Sequence, residues 1–169
     1  MLVNKLVSVF FIASLMACNN AGNESSANAM NDSMNQGDHQ NMAAGTKITP
    51  VPEIPENAKV FFVNLKDGQT VSPTFLVVMA TENMRVDTAN GIIKAASGHH
   101  HILIDQAAAF PHGEVVPKDS VHLHFGNAQK ETELTLKPGK HTLRLQYADA
   151  LHRSYGDKLS VSISVTVKK

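Results

Sequence analysis

Histidines are concentrated in two short segments of this chain, 98–105 and 121–126, which read GHHHILID and VHLHFG and hold five of its nine histidines. Neutral imidazole is the commonest protein ligand for transition metals, and its charge also switches near neutral pH. If the two segments pair as neighbouring strands, their side chains lie about 5 Å apart across the pair, close enough to share one ion. The two segments therefore form the best candidate site in the sequence, and copper or zinc is the expected ion.

The alternation of side chains along a strand decides which of these histidines can meet. In the second segment the apolar residues occupy one side, and His122 and His124 occupy the other. In the first segment His99 and His101 lie opposite His100, which shares its side with two isoleucines. The sequence therefore predicts a metal site on the face that points away from the core, with His99, His101, His122 and His124 as its ligands.

Two further groups of residues are secondary candidates for metal binding. His152 and Asp149 lie in a predicted loop at one end of the fold, where binding residues are often found. The N-terminal region contains thioether and imidazole side chains of the kind that soft copper ions favour, at Met30, Met34, His39 and Met42.

Two alternatives to this non-catalytic metal site stay open. The histidines could form a polar ladder across two strands, in a structural or protein-interaction domain of the cell envelope. Alternatively, His122 and His124 followed by Glu131 and His141 are similar to the ligand order of cupin metalloenzymes, which would bring Glu131 and His141 into the coordination shell. Common catalytic motifs such as HExxH or Gly-x-Ser-x-Gly are absent, so a non-catalytic domain is expected.

The elements that must position these residues are strands. Segment 159–167 places an apolar residue at every odd position and a hydroxyl residue at every even one, which is typical of a strand with one buried face. Short segments with turn residues between them predict an all-β fold, an antiparallel immunoglobulin-like β-sandwich of about seven strands. The predicted strands are Val60–Leu65, Phe75–Thr81, Ile102–Asp105, Val121–Phe125, Glu133–Leu136, Thr142–Tyr147 and Leu159–Val167.

The N-terminal part of the chain predicts export. Residues 1–17 combine Lys5 with a short apolar run and form a signal peptide. The sequence Leu15-Met16-Ala17-Cys18 resembles the bacterial lipobox, which implies that acyl chains such as palmitate are attached to Cys18. Residues 18–58 are poor in large apolar side chains and rich in Asn, Ser and Pro, so they predict a disordered tether. Residues 59–169 then form the folded domain, anchored by lipid to a membrane of the bacterial envelope and facing the periplasm or the outside.

Charge excludes one class of partner. Fifteen basic residues balance fifteen acidic ones, and there is no basic stripe with interleaved aromatic residues. Nucleic acid is therefore not an expected partner. Membrane lipid and a metal ion are the partners that the sequence predicts.

Three motifs also resemble a known family. GHHHILID, then HLHFG, then PGKHTLRLQYADALH follow one another as in the bacterial domain-of-unknown-function family 4399, and the resemblance covers roughly residues 59–167. Membership of this family implies a small, exported, histidine-containing β-domain and assigns no activity.

Overall fold

The computed structural model describes residues 49–169, and within them the regular structure is all β apart from one turn of 3-10 helix at Asp157–Leu159. Each of the seven predicted segments overlaps a strand, and the two shortest strands, at Gln69–Val71 and Arg85–Val86, lie outside the predicted segments. The strands are β1 (Lys59–Phe62), β2 (Gln69–Val71), β3 (Thr74–Glu82), β4 (Arg85–Val86), β5 (Ser97–Ile104), β6 (His122–Phe125), β7 (Glu131–Thr135), β8 (Gly139–Ala148) and β9 (Ser160–Val167).

The strands form two sheets. The smaller sheet has the order β1-β3-β7, and the larger has the order β2-β9-β8-β5, with β4 and β6 both pairing with β5. One core contains residues of both sheets, including Val77 and Leu134 from the smaller and Ile102 and Leu145 from the larger. The predicted all-β sandwich is confirmed. Two short pairs, β2 with β9 and β4 with β5, are parallel, whereas the sequence predicted an antiparallel arrangement.

Strand β5 is buried along its whole length, on both faces. Its core face packs Ile102 and Ile104 into the main cluster of apolar residues. Its other face lies under the connection between β5 and β6, where Val116 and Phe110 pack against Leu103. The connection folds back over the sheet instead of running into solvent, so the face predicted to point outward is covered by protein.

A glycine at the start of β5 allows close packing against β8. A Cβ at Gly98 would collide with the carbonyl oxygen of Ala148 and crowd the Tyr147 ring. Because glycine has no Cβ, the Tyr147 ring fits here, and its hydroxyl donates to the carbonyl oxygens of both Gly98 and Arg85, at 2.9 and 2.8 Å. This buried hydroxyl therefore fixes β4 and β5 relative to β8.

The packed part of the chain begins before the predicted boundary at residue 59. Val51 and Ile54 pack against the core, and Ala58 is buried. The guanidinium of Arg153 also donates to the carbonyl oxygens of Thr49 and Pro50. The end of the predicted tether therefore lies against the domain, because the few apolar side chains it carries find partners there.

Several predicted features lie outside the described residues. These are the signal peptide at 1–17, the lipidated Cys18 and the tether candidates Met30, Met34, His39 and Met42. Among residues 49–169, no helix has the length and apolar character needed to cross a membrane.

Candidate metal centre

Three histidines from β5 and β6 converge on one point. The two strands pair in a register that sets His101 directly opposite His124, and His99 lies two residues before His101 on the same face. One ring nitrogen from each of the three lies within 4.8 Å of the others. The predicted pairing of the two histidine segments thus brings together His99, His101 and His124.

A fourth imidazole, from His152, lies against these three. Its Nε2 atom is 3.1 Å from Nε2 of His124, and its ring centroid is 5.0 Å from that of His99. The Nε2 atoms of His99 and His101 are 2.9 Å apart. In a tetrahedral zinc site with Zn–N bonds of about 2.0–2.1 Å, two ligand nitrogens are about 3.4 Å apart. His99, His101 and His124 therefore converge closely enough to share one ion, and His152 lies beside His124 at the edge of this group; we call these four residues the histidine cluster.

The loop after β8 holds His152 in place. His152 has a φ of 65°, in the left-handed region that is uncommon for a residue with a side chain. Its N–H donates to the carbonyl oxygen of Asp149 at 2.9 Å, and its own carbonyl oxygen accepts from Val116 at 2.9 Å. The unusual backbone conformation is thus fixed by contacts on both sides.

Asp149 positions this loop, and its carboxylate is already engaged. Oδ1 accepts from the backbone N–H groups of Leu151 and Arg153 at 2.8 and 3.0 Å. Oδ2 accepts from the buried Arg153 guanidinium, with Nε at 2.9 Å and Nη2 at 2.7 Å. Of the two secondary loop candidates, His152 therefore lies in the cluster, while Asp149 supports it.

His122 lies outside the cluster, although it was a primary candidate. It shares the face of His124 and lies opposite Leu103. Its Nδ1 donates to the Asp119 carboxylate at 2.8 Å, and its ring packs on Phe110 at a centroid distance of 5.5 Å. The prediction that four strand histidines meet is corrected in this respect, because a nearby carboxylate holds the His122 ring and His152 takes the fourth position.

His100 points into the core, as predicted. It is buried, and its ring packs edge-on against Tyr147 at a centroid distance of 5.0 Å. Neither of its ring nitrogens has a hydrogen-bond partner among residues 49–169. Burial, with a smaller contribution from the charge of Lys130, lowers the pKa of His100 to about 4, so the ring is neutral at pH 7.

Three imidazoles of the cluster, those of His99, His101 and His124, are neutral at pH 7. Burial lowers the pKa of His99 to about 3 and that of His101 to about 2, and repulsion from neighbouring imidazoles adds to both effects. The pKa of His124 is lowered by burial and by His152. Neutral imidazole is the form that coordinates a metal, so these three rings are ready to bind at neutral pH without losing a proton.

The cluster is deep at one end and open at the other. His99 and His101 are fully buried, while His124 and His152 are half-buried. The Nδ1 atoms of His99 and His101 have no hydrogen-bond partner within the described part of the chain. An ion would therefore reach the two buried rings past His124 and His152.

Gly126 leaves the space that the His124 ring occupies. A Cβ built at Gly126 would collide with Cε1 and Nε2 of that ring. The φ of Gly126 is not in the left-handed region, so the missing side chain matters here more than backbone freedom. The HLHFG motif contains this glycine, yet its role is visible only once the ring is placed.

Glu131 and His141, the two further ligands that a cupin-like site would need, lie outside the histidine cluster. Glu131 begins β7 in the smaller sheet and is exposed. His141 Nδ1 donates to Asp105 Oδ2 and its Nε2 donates to the carbonyl oxygen of Lys137, both at 2.9 Å. Donating to two acceptors requires a proton on both ring nitrogens of His141. The pKa of His141 is accordingly raised, and its hydrogen bond to Asp105 is the main cause. A protonated imidazole cannot bind a metal.

Comparison with known proteins places the domain in a family. The family model for the domain of unknown function DUF4399 matches residues 77–168, a span that begins in β3 and contains the whole histidine cluster. No curated protein and no solved structure matched the chain. The match covers 92 of the 169 residues, and the chain therefore belongs to the DUF4399 family.

Proposed function

We propose that this domain binds one transition metal ion, copper or zinc, in the histidine cluster, and that it does so without catalysing a reaction. The observation that carries this proposal is the convergence of one ring nitrogen each from His99, His101 and His124 within 4.8 Å of one another, with Nε2 of His152 at 3.1 Å from Nε2 of His124. Imidazole ligands suit both copper and zinc. Four protein ligands also complete a tetrahedral shell, as they do in structural zinc sites.

The alternative of a metal-free polar ladder explains the cluster less well. A neutral imidazole has one N–H and one lone pair, so each close pair of rings makes a single N–H···N hydrogen bond. In the buried pair, the accepting ring then carries its proton on Nδ1, which has no partner among the described residues. An unpaired buried donor destabilises a fold by about 1–3 kcal/mol. Metal binding at the Nε2 atoms also places the proton of each buried ring on Nδ1, so both states leave a buried donor without a partner among the described residues. Only the metal-bound state adds coordination bonds to the ring nitrogens, and these would offset that cost.

Calorimetric titration of the metal-free protein with Cu²⁺ or Zn²⁺ tests the proposal. One equivalent should bind, and replacing His124 and His152 together by Ala should weaken binding at least a hundredfold, because half of the ligands are lost. The matched control is His122→Ala, which removes a histidine from the same face and should change affinity less than threefold. Equal loss in the control and the double variant would contradict the proposed ligand set.

Gly126→Ala should separate ligand geometry from ligand identity. It keeps all four histidines but forces the His124 ring away from its place, so we expect the metal affinity to fall at least tenfold in the same titration. Circular dichroism should show that the fold is retained, since the colliding atoms belong to the end of a side chain. An unchanged affinity would mean that His124 is not held as a ligand.

We further propose that the protein is a lipoprotein of the bacterial envelope, with acyl chains on Cys18. The lipobox-like sequence and the preceding apolar segment support this. Several acyl chains together give stable membrane attachment where one chain gives only marginal attachment. Cys18→Ser should therefore move the protein out of the membrane fraction or leave it unprocessed. A variant that is processed normally and stays with the membranes would refute lipid anchoring.

A further inference from the structure

A cavity of about 270 Å³ lies at the edge of the sandwich, between β3, the short strand β4 and the residue before β7. Its lining residues are Ala80, Thr81, Met84, Arg85, Val86 and Lys130. None of them belongs to the histidine cluster. The volume is slightly below the range of pockets that hold drug-sized ligands, so it suits a ligand of few atoms.

The cavity is lined by two cations that form no ion pair within residues 49–169, although the charge of Arg85 also acts on the carboxylate of Asp87, which is hydrogen-bonded to Lys94. Neither the Arg85 guanidinium nor the Lys130 ammonium forms an ion pair or a hydrogen bond within residues 49–169. Two nearby carboxylates are engaged with other lysines, Glu82 with Lys59 at 3.5 Å and Asp87 with Lys94 at 2.6 Å. Two positive charges that share one concave surface repel each other, and a bound anion would relieve that repulsion.

Both cations project from backbone that is fixed by hydrogen bonds. The Arg85 N–H donates to Ala96 at 2.8 Å, and its carbonyl oxygen accepts from the buried Tyr147 hydroxyl at 2.8 Å. The carbonyl oxygen of Lys130 accepts from Met79 at 2.7 Å. The spacing between the two side-chain origins is therefore set by the fold, as a binding site requires.

The rest of the lining selects the class of anion. Ala80, Met84 and Val86 are apolar and lie beside the two cations. The turn that carries Met84 is closed by the Thr81 hydroxyl, which donates to the Met84 carbonyl oxygen at 2.7 Å. A ligand with one charged end and a short hydrocarbon part would meet both kinds of wall.

We propose that this cavity binds a small organic carboxylate, with the carboxylate held between Arg85 and Lys130 and its hydrocarbon part against Ala80, Met84 and Val86. Such a site is independent of the metal cluster. The two sites would also lie on different parts of the fold, since the cluster occupies the face of β5 that the β5–β6 connection covers.

Titration of the 15N-labelled full chain with sodium butyrate, in the presence of EDTA and followed by NMR, tests this proposal. Saturable shifts are expected at the amides of residues 80–86 and 130, with sodium chloride added to keep the ionic strength constant. Arg85→Gln combined with Lys130→Gln should weaken binding at least tenfold. Lys66→Gln combined with Lys158→Gln removes the same charge from exposed positions elsewhere and should change affinity less than twofold.

Butan-1-ol serves as the uncharged ligand of equal carbon number and should give no saturable shift at these amides. The proposal is overturned if butyrate produces no saturable shift, if butan-1-ol binds as well as butyrate, or if both double variants weaken binding equally. EDTA keeps the histidine cluster empty, so none of these outcomes depends on whether that cluster binds metal.

Discussion

The metal-free protein is expected to unfold in mild acid, with stability falling steeply below pH 6.5. Three adjacent histidines are responsible, because burial holds the folded-state pKa of His99 at about 3, of His100 at about 4 and of His101 at about 2. Above the unfolded-state value of 6.5 all three are neutral in both states and protonation changes nothing. Below it the unfolded chain binds protons that the folded chain does not, so acid favours unfolding.

The size of this effect is large relative to the stability of a small domain. One histidine contributes about 1.4 kcal/mol per pH unit over this interval, so three contribute roughly 4 kcal/mol per unit. Domains of this size are stable by about 5–15 kcal/mol. We therefore expect the unfolding transition to fall between about pH 4 and 5. Urea unfolding at pH 7, 6 and 5 measures the slope directly.

The slope of the unfolding free energy against pH also shows which histidines cause the loss of stability. His100→Leu should reduce the proton uptake on unfolding by about one. Carboxylates whose pKa is lowered in the folded state, such as Asp87 and Asp119, reduce the stability only when the pH falls towards and below their ordinary pKa of 3.8. A stability that stays level from pH 7 to pH 5 would show that the histidine rings are not buried as neutral groups.

Saturating metal is expected to raise the melting temperature at pH 7 by about 10 °C or more. A ligand that binds only the folded state stabilises it by about 4 kcal/mol at a thousandfold excess over its dissociation constant. For a domain of this length, 1 kcal/mol corresponds to about 3–6 °C. Differential scanning calorimetry with Zn²⁺ and with Cu²⁺ measures the shift.

The variants of the cluster provide the control for this experiment. His124→Ala with His152→Ala should abolish most of the metal-dependent shift while altering the metal-free melting temperature less than a core substitution would, since both rings are half-buried. His122→Ala should keep the full shift. If the double variant is stabilised as much as the wild type, the metal binds elsewhere on the protein.

Local sequence patterns were sufficient to predict seven of the nine strands and the direction in which most strand histidines point. The alternation of side chains along a strand predicts that His124 points away from the core. The pairing of the two segments predicts that it lies beside His101, and the strand register confirms this. The same alternation placed His100 in the core, where it packs against Tyr147. These features follow from the two-residue period of a strand, which can be read within a few residues.

The remaining features depend on contacts between distant segments. His152 meets His124 across 28 residues of sequence and needs a left-handed backbone conformation that nothing in the local pattern predicts. Conversely, His122 has the right face and the right spacing, but Asp119 holds its ring elsewhere. The burial of Leu103, on the same face of β5 as His99 and His101, also comes from the folded-back β5–β6 connection, whose path the sequence does not indicate.

The most direct test of the metal site is pulsed EPR of the protein loaded with one equivalent of Cu²⁺. Modulation from the remote ring nitrogens counts the coordinated imidazoles, and labelling with 15N-histidine confirms their origin. We predict three or four coordinated imidazoles in the wild type, one fewer in His101→Ala and an unchanged number in His122→Ala. A spectrum with one imidazole or none, or one that His101→Ala leaves unaltered, would contradict the proposal that the histidine cluster binds the ion.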